Sequence, residues 1–112
     1  MIMKYMLWTV FEDSQSTQEL LRSLLKDGYN GTLIETASLR HALDDSFPED
    51  KHFFSLVNYE SHLKDESLLA LFVVNEESLE PLKQCIRDHT DNFRKIKGGM
   101  FSRSISDYEG TF

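Results

Sequence analysis

Leu68-Leu69-Ala70-Leu71-Phe72-Val73-Val74 is the longest unbroken apolar run in the chain, and Asn75-Glu76-Glu77-Ser78 follows it directly. Seven apolar residues without a polar break predict a strand buried on both faces, and hence a central one. The polar cluster after it opens a helix. Leu79, Leu82, Cys85 and Ile86 recur at the spacing that lines one helical face. Glu76 and Glu77 at its start, and Arg87 and His89 at its end, complement the helix dipole. Pro81 is expected in the first turn, where backbone N–H groups lack helical partners in any case.

Working outward from this strand–helix unit, the C-terminal side continues with a polar turn over Thr90–Arg94. Gly98-Gly99 then precedes a last strand near Met100–Ile105, and Ser106–Phe112 reads as a frayed tail. On the N-terminal side, Lys4–Phe11 is aromatic and β-rich and predicts a first strand. Ser16 and Glu19 have capping-box spacing, and Leu20, Leu21, Leu24 and Leu25 follow on one helical face. Gly28 is the expected stop, because glycine accepts the left-handed conformation that ends many helices. Thr32–Ala37 is a second strand.

Between the two halves lies an irregular insert, roughly residues 38–66. Ser38 could cap a short helix bearing Leu39, Ala42 and Leu43, which Phe47-Pro48 would break. His52–Tyr59 could form an extra strand, and Glu60–Ser67 reads as a polar loop. The order β-α-β, insert, β-α-β predicts one α+β domain over residues 1–112: a ferredoxin-like βαββαβ sandwich with both helices on one face of an antiparallel sheet. Trp8, Val10 and alternate positions of the 68–74 run would make the other face too apolar for water, which predicts a homo-oligomer.

The bulk properties narrow the function. A chain of 112 residues can bury one core without staples, and its single cysteine allows no internal disulfide. The net charge of −7 argues against nucleic acid, whose phosphates are bound by clustered Lys and Arg. The charge is uneven, however: Arg87, Arg94, Lys95, Lys97 and Arg103 form a basic stretch better suited to a small anion than to a duplex. No segment approaches the ~20 apolar residues of a membrane span, and the N-terminal sequence lacks the features of a signal peptide. A cytoplasmic location without membrane insertion is expected.

The order of elements resembles the PII-like signalling proteins, a family of small ferredoxin-like trimers. Four stretches carry the resemblance: the first strand Lys4–Phe11, the junction Asp27-Gly28-Tyr29, the run Leu71-Phe72-Val73-Val74-Asn75-Glu76-Glu77, and Lys97-Gly98-Gly99-Met100-Phe101. The resemblance implies a homotrimer with ligand clefts between subunits, and a long loop, here residues 38–66, that docks on partner proteins. It implies a nucleotide or cyclic dinucleotide as ligand and no permanent cofactor. The chain departs from the nucleotide-binding members in two places. Thr36-Ala37-Ser38-Leu39-Arg40 replaces their glycine-rich signature with its Gln, and Met100 stands where they have a lysine. CutA-like trimers share the same order of elements.

The candidate ligand-binding residues are Thr36, Ser38, Leu39 and Arg40 after strand two, with Lys97, Gly98, Gly99 and Arg103 around the last strand. Glycines let backbone N–H groups approach an anion while the cations supply charge. The alternative for Gly98-Gly99 is a plain turn, and for Ser38 a helix cap beside an exposed Arg40. His41, His52, His62 and His89 lack the short spacings of a zinc site. Cys85 reads as a small buried hydrophobe rather than a nucleophile. Asp44-Asp45 and Glu49-Asp50 read as solvated pairs on the insert. No nucleophile elbow places a catalytic serine. The competing class is a small enzyme on a ferredoxin-like dimer, with Trp8, Phe53 and Phe54 lining a pocket.

Overall fold

The structure is a computed structural model, and it describes residues 3–37 and 66–112. Six elements follow in chain order: β1 (Lys4–Glu12), α1 (Gln15–Lys26), β2 (Thr32–Ala37), β3 (Glu66–Asn75), α2 (Glu76–Thr90) and β4 (Gly98–Ile105). The strands form one antiparallel sheet in the order β2-β3-β1-β4. This is the ferredoxin-like arrangement expected from the order of elements. The apolar run is central, as expected, lying between β2 and β1. It starts two residues earlier than the run itself, because Glu66 and Ser67 pair with Ala37 and Thr36. Residues 38–65, including the expected helix at Ser38 and strand at His52–Tyr59, lie outside the described residues.

The alternation of side chains across a strand sorts the sheet into two faces. Leu7, Thr9 and Phe11 of β1 and Leu68, Ala70 and Phe72 of β3 are buried beneath the helices. Leu20 and Leu24 of α1, with Leu79, Leu82 and Ile86 of α2, cover them, and Ile96 completes the core. Thr9 is a polar member, and its hydroxyl donates to the Ala70 carbonyl at 3.0 Å. A buried hydroxyl needs such a partner. The opposite positions of β3, Leu69, Leu71 and Val73, stay half-exposed within the chain. The expected burial on both faces is therefore met on one face only, since both helices lie on the same side.

Local chemistry shifts two helix features from their sequence-based positions. The N-cap of α1 is Ser14, not Ser16: its hydroxyl accepts from the Thr17 backbone N–H at 3.2 Å. Thr17 is buried and donates to the Glu12 carbonyl, which ties the helix start to the end of β1. Leu20 and Leu24, one turn apart on the same face, are buried, whereas Leu25, about 100° further round, is 61% exposed. In α2, Asn75 is the N-cap and Pro81 falls inside the helix rather than in its first turn. Its ring removes the N–H that the Glu77 carbonyl would accept. Both residues are exposed, so water can meet that carbonyl.

After α2 the chain makes an unusual reversal. Asp91, Asn92 and Phe93 take φ values of 52°, 54° and 63°, three left-handed residues in succession. Asp and Asn tolerate this region, but for Phe it is costly. Thr90 holds the turn: its hydroxyl accepts from the Phe93 N–H at 3.0 Å, and its carbonyl accepts from the Lys95 N–H at 2.9 Å. The Phe93 ring packs nearly parallel to Phe11, with centroids 6.3 Å apart. The reversal buries Ile96 and delivers Lys97 to the end of β1.

Candidate functional site

Strand register places the candidate residues. Thr36 pairs with Ser67, Ser67 with Glu12, and the Glu12 N–H donates to the Lys97 carbonyl at 2.9 Å. Thr36 and Lys97-Gly98-Gly99 therefore stand at the same end of the sheet. They stand on its opposite edges, however, with β3 and β1 between them. Three strand spacings separate them by about 14 Å. Arg103 pairs with Met6 and lies five residues along β4 from Gly98, roughly 16 Å away. One chain thus brings Lys97, Gly98 and Gly99 together and leaves Thr36 and Arg103 apart. Ser38, Leu39 and Arg40 lie outside the described residues.

The two glycines differ in kind. Gly98 has φ +148°, and a Cβ there would lie 1.8 Å from the Val10 carbonyl oxygen. Its glycine is required by the close approach of β4 to β1. A Cβ on Gly99 would meet nothing within 4 Å, so the backbone beside it is open. Lys97 and its neighbours Arg94 and Lys95 are exposed. Arg94 has Asp91 as a distant ion partner at 4.0 Å. Thr36 donates its hydroxyl to the Ser67 carbonyl at 3.2 Å, which leaves the oxygen lone pairs to accept from a ligand.

Three clefts formed by the described residues lie elsewhere. One of about 170 Å³ opens between α1 and β2 and is lined by Leu21, Leu25, Tyr29, Leu33 and Phe72. It is apolar, and smaller than the ~300–1,000 Å³ typical of small-molecule sites. Two more, of about 280 and 310 Å³, lie at the other end of the sheet beside Asn30, Val73 and Phe112. None of the three is lined by Thr36, Lys97, Gly98 or Gly99. Trp8, a pocket candidate in the enzyme alternative, instead stacks on Phe101 across the open sheet face, with centroids 6.2 Å apart and planes at 11°.

That open face is built in rows. Gly99, Val10, Leu69 and Ile34 form one, and Phe101, Trp8, Leu71 and Thr32 the next. Arg103, Met6 and Val73 follow, then Ile105, Lys4 and Asn75. Phe101 is 61% exposed and Ile34 45%. The tail, expected to be frayed, turns back along the lower margin. The Lys4 ammonium sits 5.6 Å from the centre of the Tyr108 ring and donates to the Asn75 side chain at 2.8 Å. Phe112 reaches the cleft beside Thr32 and Val73. Ser106–Phe112 gave no periodic signal, so only the cation–aromatic pairing of Lys4 with a distant tyrosine could have pointed to this contact.

Cys85 is half-buried rather than buried, and its thiol lies 3.8 Å from an Asp27 carboxylate oxygen. Burial pushes its pKa up, and the Asp27 charge adds to this. A thiol held protonated is a poor nucleophile, in keeping with a packing role. His89 Nδ1 is 2.8 Å from the Cys85 carbonyl oxygen. Among the described residues no group of three or more His, Cys, Asp or Glu side chains could hold a metal ion. His41, His52 and His62 are outside them. No helix among the described residues is long and apolar enough to cross a membrane.

No protein-family model matches the sequence, and no curated protein matches it. Solved structures do. A functionally unknown protein from Pediococcus pentosaceus superposes with a TM-score of 0.60 at 10% identity, covering 99% of this chain and 100% of that one. PII from Arabidopsis thaliana, bound to citrate, superposes with a TM-score of 0.55 at 13% identity, covering 89% of this chain and 75% of the plant protein. The fold is PII-like. At such identities the likeness concerns the PII-like backbone arrangement alone.

Proposed function

We propose that the chain is a PII-like regulatory protein, a cytoplasmic homotrimer that binds a small anionic, nucleotide-type ligand at its subunit boundaries. Ligand state would be relayed to a partner protein through residues 38–66. The observation that carries this reading is the division of the candidate site. Its two halves stand at one end of the sheet on opposite edges, and among the described residues the largely apolar face between those edges is covered only along its lower margin, by the tail. Packing that face against further copies can bring the β2 edge of one copy beside the β4 edge of another. A cleft assembled this way would collect Thr36 from one side and Lys97, Gly98 and Gly99 from the other, which a single chain holds about 14 Å apart. The open backbone at Gly99 and the cation at Lys97 suit phosphate or carboxylate oxygens. That the plant PII structure holds citrate, a small anion, is consistent with this chemistry.

The test is isothermal titration of the full chain with ATP, a cyclic dinucleotide and citrate, repeated on Gly99→Asp. Aspartate fits the open space at that position but places a negative charge where the anion would sit. Saturable binding of one of these anions, weakened at least tenfold by the substitution with the assembly mass unchanged, is the expected result. Equal affinity in both proteins would remove this loop from the site.

A further inference from the structure

The end of the sheet that carries Lys97, Gly98 and Gly99 also carries a negative charge. Glu12 is the only carboxylate that the described strands place on the open face. It ends β1, in one row with Ser67 and Thr36. Its backbone ties it to the loop, because the Glu12 N–H donates to the Lys97 carbonyl at 2.9 Å. Its side chain meets the same residue: the Lys97 N–H approaches one carboxylate oxygen at 3.4 Å. That long contact is the one hydrogen bond of the Glu12 side chain among the described residues, and no described cation pairs with it. Glu12 is half-buried, so water reaches only part of it. An ionised carboxylate accepts and cannot donate, and most of the acceptor capacity here is unspent.

Thr36 has the same polarity. Its proton is committed to the Ser67 carbonyl, so its oxygen is left to accept. The site therefore has two sides of opposite character. Lys97 and the open backbone at Gly99 offer positive charge and N–H donors. Glu12 and Thr36 offer acceptors, and Glu12 a full negative charge. A ligand that is anionic all round meets the cation and the carboxylate at once, and repulsion between like charges a few ångströms apart cancels much of the attraction. A ligand with its charge at one end and hydroxyl or amino groups beside it satisfies both sides, because a donor to a carboxylate makes a charge-assisted hydrogen bond. We propose that Glu12 sets the specificity of this site, turning away a second acidic group and taking a hydroxyl or amino donor from the ligand. This rests on the anionic-site reading above. It narrows the ligand class to phosphate esters that carry such donors, as nucleotides do, against bare polycarboxylates such as citrate.

The experiment is isothermal titration of the 112-residue chain and of Glu12→Gln with ATP, cyclic di-AMP and citrate. Glutamine keeps the side-chain length and an oxygen to accept from the Lys97 N–H, and removes the charge. Circular dichroism and the assembly mass check that the variant is otherwise unchanged. The wild-type order of affinities is a test that needs no variant. The expected result is a preference of roughly tenfold or more for the better nucleotide over citrate in the wild type. In Glu12→Gln that preference should collapse, with citrate bound more tightly and the nucleotide more weakly. Citrate bound by the wild type as tightly as either nucleotide, or a preference unchanged in Glu12→Gln, would overturn the role of Glu12 while leaving the anion site standing. Binding of none of the three probes by either protein would instead remove the anionic-site reading, and the proposal with it.

Discussion

Gly98→Ala should be among the most damaging single-methyl additions this chain can receive, while the same change one residue later should be harmless. At Gly98 the added Cβ would lie 1.8 Å from the Val10 carbonyl oxygen and 2.9 Å from its carbon, both backbone atoms that cannot rotate away. The φ of +148° adds strain of about 1–3 kcal/mol for a non-glycine residue. Relieving the clash requires β4 to move off β1 at the Phe11–Gly98 pair, which also loosens Ile96 in the core. A total loss of roughly 3–5 kcal/mol is expected, in the range reserved for named backbone and packing failures. At Gly99 nothing lies within 4 Å, so alanine should change stability by no more than about 1 kcal/mol, in the stabilising direction. The assay is urea unfolding followed by tryptophan fluorescence, since Trp8 lies on β1. With a slope of about 2 kcal/mol/M, Gly98→Ala should lower the midpoint by roughly 1.5–2.5 M and Gly99→Ala by almost nothing. Equal midpoints for the two variants would refute the reasoning that one glycine serves packing and the other leaves room for a ligand.

Other perturbations follow from the same geometry. Pro81→Ala should stabilise the chain by about 1–3 kcal/mol, read by thermal unfolding, because it restores a helical N–H to the interior of α2. Thr90→Val should cost about 1–3 kcal/mol in the same assay, since it orphans the Phe93 N–H within the left-handed turn. Ser14→Ala should cost about 1 kcal/mol, whereas Ser16→Ala should be close to neutral, which locates the true cap of α1. Cys85 should alkylate more slowly than a free thiol near pH 8.5, because burial and the Asp27 carboxylate raise its pKa. Asp27→Asn should speed the reaction by removing the charge, and an unchanged rate would rule out that electrostatic contribution.

The parts of the fold that were legible in sequence are those where one physical signal dominates. The β3 run, the β2 bounds at Thr32–Ala37 and the stop of α1 at Gly28, with φ +96°, follow from apolar continuity and glycine chemistry. The α1 cap was misplaced because Ser14 and Ser16 both qualify by residue type. Only the three-dimensional meeting of Thr17 with the Glu12 carbonyl favours Ser14. Pro81 lies deeper than the first turn because α2 begins at Glu76, directly after β3 ends at Asn75 with no intervening loop. For the candidate site, local sequence identified Lys97-Gly98-Gly99 as a unit but could not separate their roles. The reason for Gly98 lies in Val10, far away in sequence. Arg103 was grouped with that loop by its distance in sequence, yet an extended strand carries it roughly 16 Å off, onto the open face. The return of the tail to Lys4 had no periodic signature at all.

The most direct test of the central claim is the mass of the native assembly, measured by native mass spectrometry on the freshly purified 112-residue chain across a range of concentrations. A trimer, at three times the 13.1 kDa chain mass, is the expected result, with any retained nucleotide visible as added mass. A monomer at all concentrations, its apolar sheet face left in water, would contradict the claim that this face is closed by further copies and that the ligand site forms between them.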